Sequence, residues 1–165
     1  MLEEDIPGHA LTNFPNQRPF LHFMMRFIFI HLLLLSSICN YLHAQSEIIG
    51  TWLTEDQTAK VRIFENDNRY FGKIIWLKES GTDGKDLLDE NNPDQPLRNR
   101  PLIGVEILTN FRYDGNQKWS GGEIYEPRHG HVSSGKLKLS STNQLEVRGY
   151  IGLPIFGSTE VWTRE

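Results

Sequence analysis

Two histidines separated by one glycine, His129-Gly130-His131, are the residues of this chain whose spacing most directly suggests metal chemistry. On a β-strand, side chains two positions apart lie on the same face, so both imidazoles could bind one zinc or copper ion. Such a site needs a third and a fourth ligand, and none is evident in the nearby sequence. A tight turn is the simpler interpretation, and we therefore predict no metal site and no cofactor.

A loop rich in Asp and Asn, residues 79–101, could offer oxygen ligands to calcium through Asp89, Asn92 and Asp94. An EF-hand loop places acidic or amide side chains at alternate positions and glycine at the sixth. In the run that starts at Asp83, lysine and leucine occupy two of the ligand positions. We therefore favour a solvated loop in which Asn and Asp side chains form turns with the backbone.

Trp119, Tyr125, Arg148 and Tyr150 are the candidates for contact with a small ligand. Trp119 and Tyr125 flank two adjacent glycines, which could leave a flat surface for a sugar or lipid. Glycines inside a strand also mark bulges and bends, and we favour the bend, although both interpretations can hold together. Arg148 could bind a carboxylate or phosphate group. It could equally pair with a glutamate on the protein surface, and the sequence does not decide between these roles.

The motifs of common enzymes are absent from the sequence. It contains no Gly-x-Ser-x-Gly, no His-Glu-x-x-His and no phosphate-binding loop. The one cysteine, Cys39, lies in an apolar N-terminal segment, so the rest of the chain has no thiol for catalysis or disulfide formation. We predict no catalytic residues and favour a binding protein over an enzyme, with a hydrolase as the third alternative.

An apolar block at residues 27–38 has the character of a signal peptide. It is shorter than the roughly 20 residues that span a bilayer, and Ala44 suits cleavage by signal peptidase. We predict a signal peptide over 24–44, preceded by a disordered extension, residues 1–23, that results from a misassigned start codon. Lipidation at Cys39 is disfavoured because a bulky residue precedes it. The protein is therefore expected in the periplasm or outside the cell.

Residues 45–165 have the pattern of a single all-β domain without a transmembrane segment. The formal net charge of the chain, −4, does not favour nucleic acid as a partner. Groups of Asn, Asp, Gly and Ser separate short alternating segments and predict hairpin turns. About eight strands are predicted, at 48–54, 59–65, 70–78, 102–112, 117–126, 131–140, 143–150 and 158–164.

The two ends of this domain carry matching motifs, Gly50-Thr51-Trp52 and Trp162-Thr163-Arg164. They predict a small closed or nearly closed antiparallel up-and-down β-barrel, with a two-sheet sandwich as the alternative. In a closed barrel the first and last strands are neighbours, so Arg164 can cover the ring of Trp52 through a cation–π contact. Gly50 would permit the close approach that this contact needs. Gly50, Trp52, Trp162 and Arg164 are thus predicted to form a structural clasp.

Several motifs together resemble a family of exported bacterial proteins, the domain-of-unknown-function family 2147. Their order and spacing are specific, although each motif alone is weak. The resemblance implies a lipocalin-like (calycin) barrel, a periplasmic or secreted location and no established activity. Similar proteins often have a tyrosine where this chain has Ser133. The motifs are Gly50-Thr51-Trp52, Asp89-Glu90-Asn91-Asn92-Pro93-Asp94, Arg100-Pro101-Leu102-Ile103-Gly104, the segment from Trp119 to Pro127, the segment from Leu145 to Gly152, and Trp162-Thr163-Arg164.

The function that this pattern favours is binding of a small apolar or amphipathic ligand inside the barrel. The alternative is an interaction module of the cell envelope that binds a protein or glycan partner through the 79–101 loop.

Overall fold

The computed structural model describes residues 47–78 and 86–165, together with Met25. The predicted N-terminal extension and signal peptide, apart from Met25, lie outside the described residues. Eight β-strands and two short 3-10 helices, Gln95–Leu97 and Pro154–Phe156, make up the described part. The strands are β1 (Gly50–Leu53), β2 (Ala59–Asn66), β3 (Arg69–Leu77), β4 (Glu106–Gly115), β5 (Lys118–Glu126), β6 (His131–Ser141), β7 (Gln144–Tyr150) and β8 (Ser158–Arg164). No helix of this described part is long and apolar enough to cross a membrane.

Each strand pairs with the next in antiparallel order, and β8 pairs with β1 to close the barrel. The closed eight-stranded antiparallel barrel predicted from the sequence is therefore confirmed, and the sandwich is excluded. Tight turns connect β2 with β3 and β4 with β5, where Asp67, Asn68 and Asn116 adopt positive φ angles of 49°, 58° and 52°. Asn and Asp tolerate this conformation better than most residues, which explains their presence at these turns.

The start of β4 differs from the prediction. The strand begins at Glu106, not at residue 102. Residues 102–105 form a turn in which the N–H of Val105 donates to the carbonyl of Leu102, and Gly104 has a φ of 94°. A residue with positive φ interrupts an extended strand, so the regular strand begins only after the turn. Gly104 and Val105 nevertheless form backbone hydrogen bonds with Ile74 of β3.

The two ends of the barrel have different connections. Short turns between β2 and β3, β4 and β5, and β6 and β7 lie at one end, the closed end. The longer connections between β1 and β2, β3 and β4, β5 and β6, and β7 and β8 lie at the other, the open end. Because consecutive strands run in opposite directions, this division follows directly from the up-and-down order.

Large apolar side chains fill the closed half of the barrel. Trp52, Phe111, Trp119 and Leu145 are all fully buried there. Alternation along the strands places these residues inside and charged residues outside, as in the sequence Lys136-Leu137-Lys138-Leu139. The closed half is thus a packed core that supports the open half.

Arg164 and Trp52 lie opposite each other across the seam between β8 and β1. The guanidinium of Arg164 is 4.3 Å from the centroid of the Trp52 ring. It also donates hydrogen bonds to the carbonyl oxygens of Glu47, Ile49 and Thr142. The indole N–H of Trp52 donates to the carbonyl of Ile48 at 2.9 Å. These contacts join both ends of the barrel sequence at the closed end.

Gly50 leaves space for this arrangement. A Cβ atom at this position would lie 2.7 Å from Nη1 of Arg164. Trp162, the other aromatic residue of the end motifs, pairs with Leu145 of β7 and is almost fully buried. Its indole N–H donates to the carboxylate of Glu160 at 2.9 Å.

Candidate functional site

A cavity of about 550 Å³ occupies the open end of the barrel. Proteins commonly bind small molecules in pockets of about 300–1,000 Å³ whose walls are mainly apolar. Polar groups from the surrounding loops lie around the rim. The apolar part of the wall is formed by Ile107, Ile124, Val147, Phe156 and Trp162.

Small inward-facing residues explain why the barrel is filled at one end and hollow at the other. Gly122 and Gly135 face the ring of Phe111, and a Cβ atom at either position would lie about 2.5 Å or less from that ring, closer than atoms can pack. Phe111 therefore closes the barrel at this level. Nearer the open end, Ser133 and Gly149 occupy the inward positions of β6 and β7 and line the cavity. Their small side chains leave its volume unoccupied.

An apolar lip borders the cavity in the connection between β7 and β8. Ile151, Leu153, Ile155 and Phe156 are 74%, 64%, 76% and 78% exposed. Ile151 and Phe156 also line the cavity. Four large apolar side chains exposed along one short connection are unusual, and patches of this kind often mark a binding surface.

Arg148, a predicted ligand-binding residue, contacts the lip from the outer face of the barrel. Its guanidinium donates to the carbonyl oxygen of Pro154 at 2.6 and 3.0 Å and to the hydroxyl of Thr159 at 2.8 Å. These bonds position the 3-10 helix Pro154–Phe156. Arg148 therefore contributes to the shape of the cavity through the lip.

The other three predicted ligand-binding residues are divided between the cavity and the core. Tyr125 and Tyr150 line the cavity. Trp119 lies in the closed half, fully buried, and its ring packs against Tyr70 and Tyr113. The adjacent glycines form the bend that the sequence predicts: Gly121 has a φ of 72°, and the register with β6 shifts between Ser120 and Gly122.

A polar cluster around Asp56 forms part of the rim. The Asp56 carboxylate accepts hydrogen bonds from the hydroxyls of Thr54 and Thr58, both at 2.8 Å, and from Arg128 at 2.9 Å. Burial raises the pKa of Asp56, but these hydrogen bonds and the charge of Arg128 outweigh it and lower the pKa to about 2. Asp56 is therefore a carboxylate at neutral pH, and it holds Arg128 beside the opening.

Asp89 anchors the connection between β3 and β4 to the barrel. This carboxylate is fully buried and accepts hydrogen bonds from Tyr125 at 2.5 Å, Asn92 at 2.7 Å and Arg100 at 2.8 and 3.0 Å. Burial raises the pKa of Asp89, but its hydrogen bonds and the charge of Arg100 lower it overall. Conversely, burial and the bond to Asp89 raise the pKa of Tyr125 to about 12.

The remaining predicted loop residues complete this anchor. The side-chain oxygen of Asn92 accepts a hydrogen bond from the backbone N–H of Asp94 at 2.8 Å, which forms a tight turn. Arg98 donates to the backbone carbonyl of Asn92 at 2.7 Å. Asp89 and Asn92 are thus occupied by contacts within the protein, an arrangement that favours turn formation as their role. Asp83 lies outside the described residues.

The apolar lip was not singled out by the sequence prediction. Its signal is the apolar run Ile151-Gly152-Leu153-Pro154-Ile155-Phe156, which lacks strand alternation and contains Gly and Pro. Without strand alternation, the apolar residues of such a run are not directed towards the core. A loop of this composition next to a barrel opening is therefore a sign of a surface that contacts apolar material.

The eight-stranded antiparallel barrel with a hollow open end defines a lipocalin-like fold. The chain belongs to the family described as "Uncharacterized protein conserved in bacteria (DUF2147)", whose model matches residues 50–164. The resemblance found in the sequence is thereby confirmed. Comparison with curated proteins finds no match.

Among solved structures, the chain is similar to protein HP1028 from Helicobacter pylori, which is described as belonging to the lipocalin family. The two share 24% sequence identity, and the match covers 72% of this chain and 82% of that protein, with a TM-score of 0.65. At this identity the similarity shows the fold alone.

Proposed function

We propose that the barrel binds a small apolar or amphipathic molecule in the cavity at its open end. The observation that carries this proposal is the combination of a hollow apolar interior with an exposed apolar lip. The apolar part of the ligand would lie against Ile107, Ile124 and Val147, and its burial would supply most of the affinity.

The polar part of an amphipathic ligand would remain at the rim, where water and charged groups are available. Arg128 is the candidate cation for binding the polar part of the ligand, because it lines the cavity. Its side chain is two-thirds exposed, although it contacts Asp56. A ligand carboxylate could share this guanidinium. Glu126 and Glu160 line the same cavity and would disfavour an anion placed deeper.

Two neighbouring serines of β6, the inward-facing Ser133 and the outward-facing Ser134, allow a matched test of ligand binding in the cavity. Ser133→Trp would place a large side chain in the cavity, whereas Ser134→Trp would place the same side chain on the exposed outer face. Binding of a fluorescent fatty acid such as cis-parinaric acid is measured with each protein. We expect the first variant to lose at least about tenfold in affinity, because its indole occupies the ligand volume. The second should bind as the unsubstituted protein does.

Equal loss of affinity in both variants, or no binding by the unsubstituted protein to lipids and fatty acids of any chain length, would contradict a carrier role. Mass spectrometry of the purified protein gives an independent measurement, because a lipid carrier often retains its ligand. Thermal unfolding of each variant would show whether a loss of binding reflects a loss of folded protein.

The site of action that we propose is outside the cytoplasm, in the periplasm or beyond, after cleavage near Ala44. The apolar block at 27–38 and the small residue at Ala44 support this proposal. N-terminal sequencing of the exported protein tests it, and a first residue far from Gln45 would contradict it.

The envelope interaction module remains the alternative. The described part of its predicted contact loop, residues 86–101, is attached to β5 through Asp89 and Tyr125. A rigid loop of this kind could present a surface to a protein or glycan. Recovery of an envelope partner by the unsubstituted protein, and its loss in Asp89→Ala, would favour this alternative.

A further inference from the structure

Glu126 and His131 are register partners at the open end of β5 and β6, and both line the cavity. His129 lies in the turn that joins these two strands. The sequence alone suggested two histidine ligands without a third. The structure brings Glu126 next to both, because the hairpin returns the chain to the end of β5.

The three side chains are close enough to share one ion. One carboxylate oxygen of Glu126 lies 2.8 Å from Nδ1 of His129, and the other lies 3.2 Å from Nε2 of His131. The two imidazole rings stack with centroids 5.7 Å apart. The nitrogen and oxygen atoms that could act as ligands all lie within 4.8 Å of one another.

The two glutamate–histidine distances are close to the spacing between neighbouring ligand atoms around a bound metal ion. Zinc binds nitrogen and oxygen ligands at about 2.0–2.2 Å in tetrahedral geometry, which places pairs of ligands about 3.3–3.5 Å apart. The side chains of Glu126, His131 and His129 are 46%, 51% and 66% exposed, so small rotations can bring them to this spacing.

The backbone holds the turn in place before any ion binds. Gly130 has a φ of 67°, and a Cβ there would lie 1.7 Å from the carbonyl oxygen of Asn91. Its N–H donates to the carbonyl of Glu126 at 2.9 Å. The side-chain amide of Asn91 donates to the carbonyl of Arg128 at 2.8 Å. The turn is thus braced by the neighbouring connection, which limits the entropy that ion binding would remove.

We propose that Glu126, His129 and His131 bind one divalent transition-metal ion of the zinc and copper class at the rim of the cavity. Imidazole and carboxylate are suitable donors for these ions. Three protein ligands leave a further coordination position for water or for a group of another molecule. The hairpin between β5 and β6 supplies all three ligands, so this site does not depend on the proposed cavity ligand.

The competing explanation is that Glu126 merely forms ion pairs with the two histidines. Such exposed pairs contribute little to stability. The positive charge of Arg128 in the same turn opposes a cation, but its guanidinium lies 2.9 Å from the carboxylate of Asp56, which offsets that charge. Metal affinity distinguishes the explanations, because ion pairs alone create no zinc binding.

The test measures Zn²⁺ affinity of the full chain at neutral pH by competition with a chromophoric chelator. The chain has six histidines, and four of them precede residue 47. The double variant His129→Asn/His131→Asn keeps those four and removes only the proposed ligands. We expect the double variant to lose one bound Zn²⁺ per chain. Equal Zn²⁺ uptake by both proteins would overturn the proposal.

Two glutamates of β5 supply the second comparison. Glu126→Gln removes the proposed ligand, and Glu123→Gln changes an exposed residue on the same strand. We expect Glu126→Gln to weaken Zn²⁺ binding at least about tenfold and Glu123→Gln to leave it unchanged. Zn²⁺ should raise the thermal unfolding temperature of the unsubstituted protein and not that of the double histidine variant. Equal Zn²⁺ affinity in the two glutamine variants would show that Glu126 is not a ligand and would overturn the three-residue site.

Discussion

The hydroxyl of Tyr125 donates a 2.5 Å hydrogen bond to the buried carboxylate of Asp89. This bond joins β5, whose end borders the cavity, to the connection between β3 and β4. Asn92 and Arg100 bind the same carboxylate. The attachment of this connection to β5 therefore depends on a charged group that is removed from water.

Removal of the Tyr125 hydroxyl should weaken this anchor. Tyr125→Phe leaves Asp89 with one hydrogen bond fewer in a buried position, and we expect it to lower the free energy of unfolding by about 1–3 kcal/mol. Urea unfolding measures this change. Tyr150→Phe, at the same rim, is the control and should change stability by less than about 0.5 kcal/mol. A similar effect of both variants would show that the bond to Asp89 has no special contribution.

The lowered pKa of Asp56 predicts a loss of stability in acid. Its pKa falls from an ordinary value of 3.8 to about 2 on folding. The unfolded chain therefore binds a proton at a higher pH than the folded protein does. The stabilisation is present above about pH 4 and is lost as the pH falls towards 2.

Asp89, whose pKa is also lowered, should act in the same direction. Urea unfolding at pH values between about 5 and 2 measures the combined effect. Asp56→Asn should show a shallower decline over this interval than the unsubstituted protein. An identical decline in both would contradict the contribution of Asp56.

Gly130→Ala should disturb the hairpin between β5 and β6. The new Cβ would collide with the carbonyl of Asn91, and alanine would also adopt an unfavourable positive φ. Gly152→Ala is a matched control, because Gly152 has a φ of 74° but no atom within 4 Å of the added Cβ. We expect about 1 kcal/mol of destabilisation in the control and at least twice that in Gly130→Ala, by thermal or urea unfolding. Equal values would mean that the Asn91 contact relaxes without cost.

The clasp at the closed end should affect stability more than ligand binding. Trp52→Ala removes a fully buried ring and is expected to cost about 3–5 kcal/mol. Arg164→Lys keeps the charge but loses hydrogen bonds to backbone carbonyls, at a cost of about 1–3 kcal/mol. Arg112→Lys, on an exposed position of β4, is the control. Loss of ligand affinity in folded Arg164→Lys protein would contradict the expectation that the closed end affects stability and not ligand binding.

The lip should contribute to ligand affinity without supporting the fold. Ile155 and Phe156 are more than three-quarters exposed, so their replacement by serine removes little buried surface. We expect Ile155→Ser/Phe156→Ser to reduce affinity for an apolar probe severalfold while the unfolding temperature stays unchanged. Ile75→Ser, on the outer face of β3, should leave binding intact. Undiminished affinity in the lip variant would remove the lip from the binding surface.

The barrel could be predicted from the sequence because short local patterns and the motifs at the two ends of the domain determine it. Alternation in segments such as Leu137-Lys138-Leu139 indicates strands, and the Asn-rich turns indicate hairpins. The motifs around Trp52 and Arg164 indicate that the first and last strands meet. The largest error is the beginning of β4, which lies four residues later than predicted because Gly104 and its turn interrupt an otherwise apolar segment. The end of β4 lies three residues later than predicted, at Gly115.

The candidate site could be predicted only in part, because the conformations of the loops determine which of its residues lie close together. Tyr125 and Tyr150 were assigned to the ligand site and do line the cavity. Trp119 has a similar sequence environment but lies on the inward face of the closed half, a distinction that depends on depth along the strand. Only the structure of the hairpin shows that Glu126 lies beside His129 and His131. The pairing of β5 with β6 could in principle have been predicted from the sequence.

The seam between β1 and β8 has a consequence for folding kinetics. Every other strand pair joins segments adjacent in the sequence, whereas this one joins Trp52 to Arg164 and Leu53 to Thr163 across nearly the whole domain. Pairing at such separation must overcome the largest loop-closure entropy in the domain. The seam should therefore form last, and amide hydrogens of β1 should exchange through a local opening that leaves the β2–β7 sheet intact.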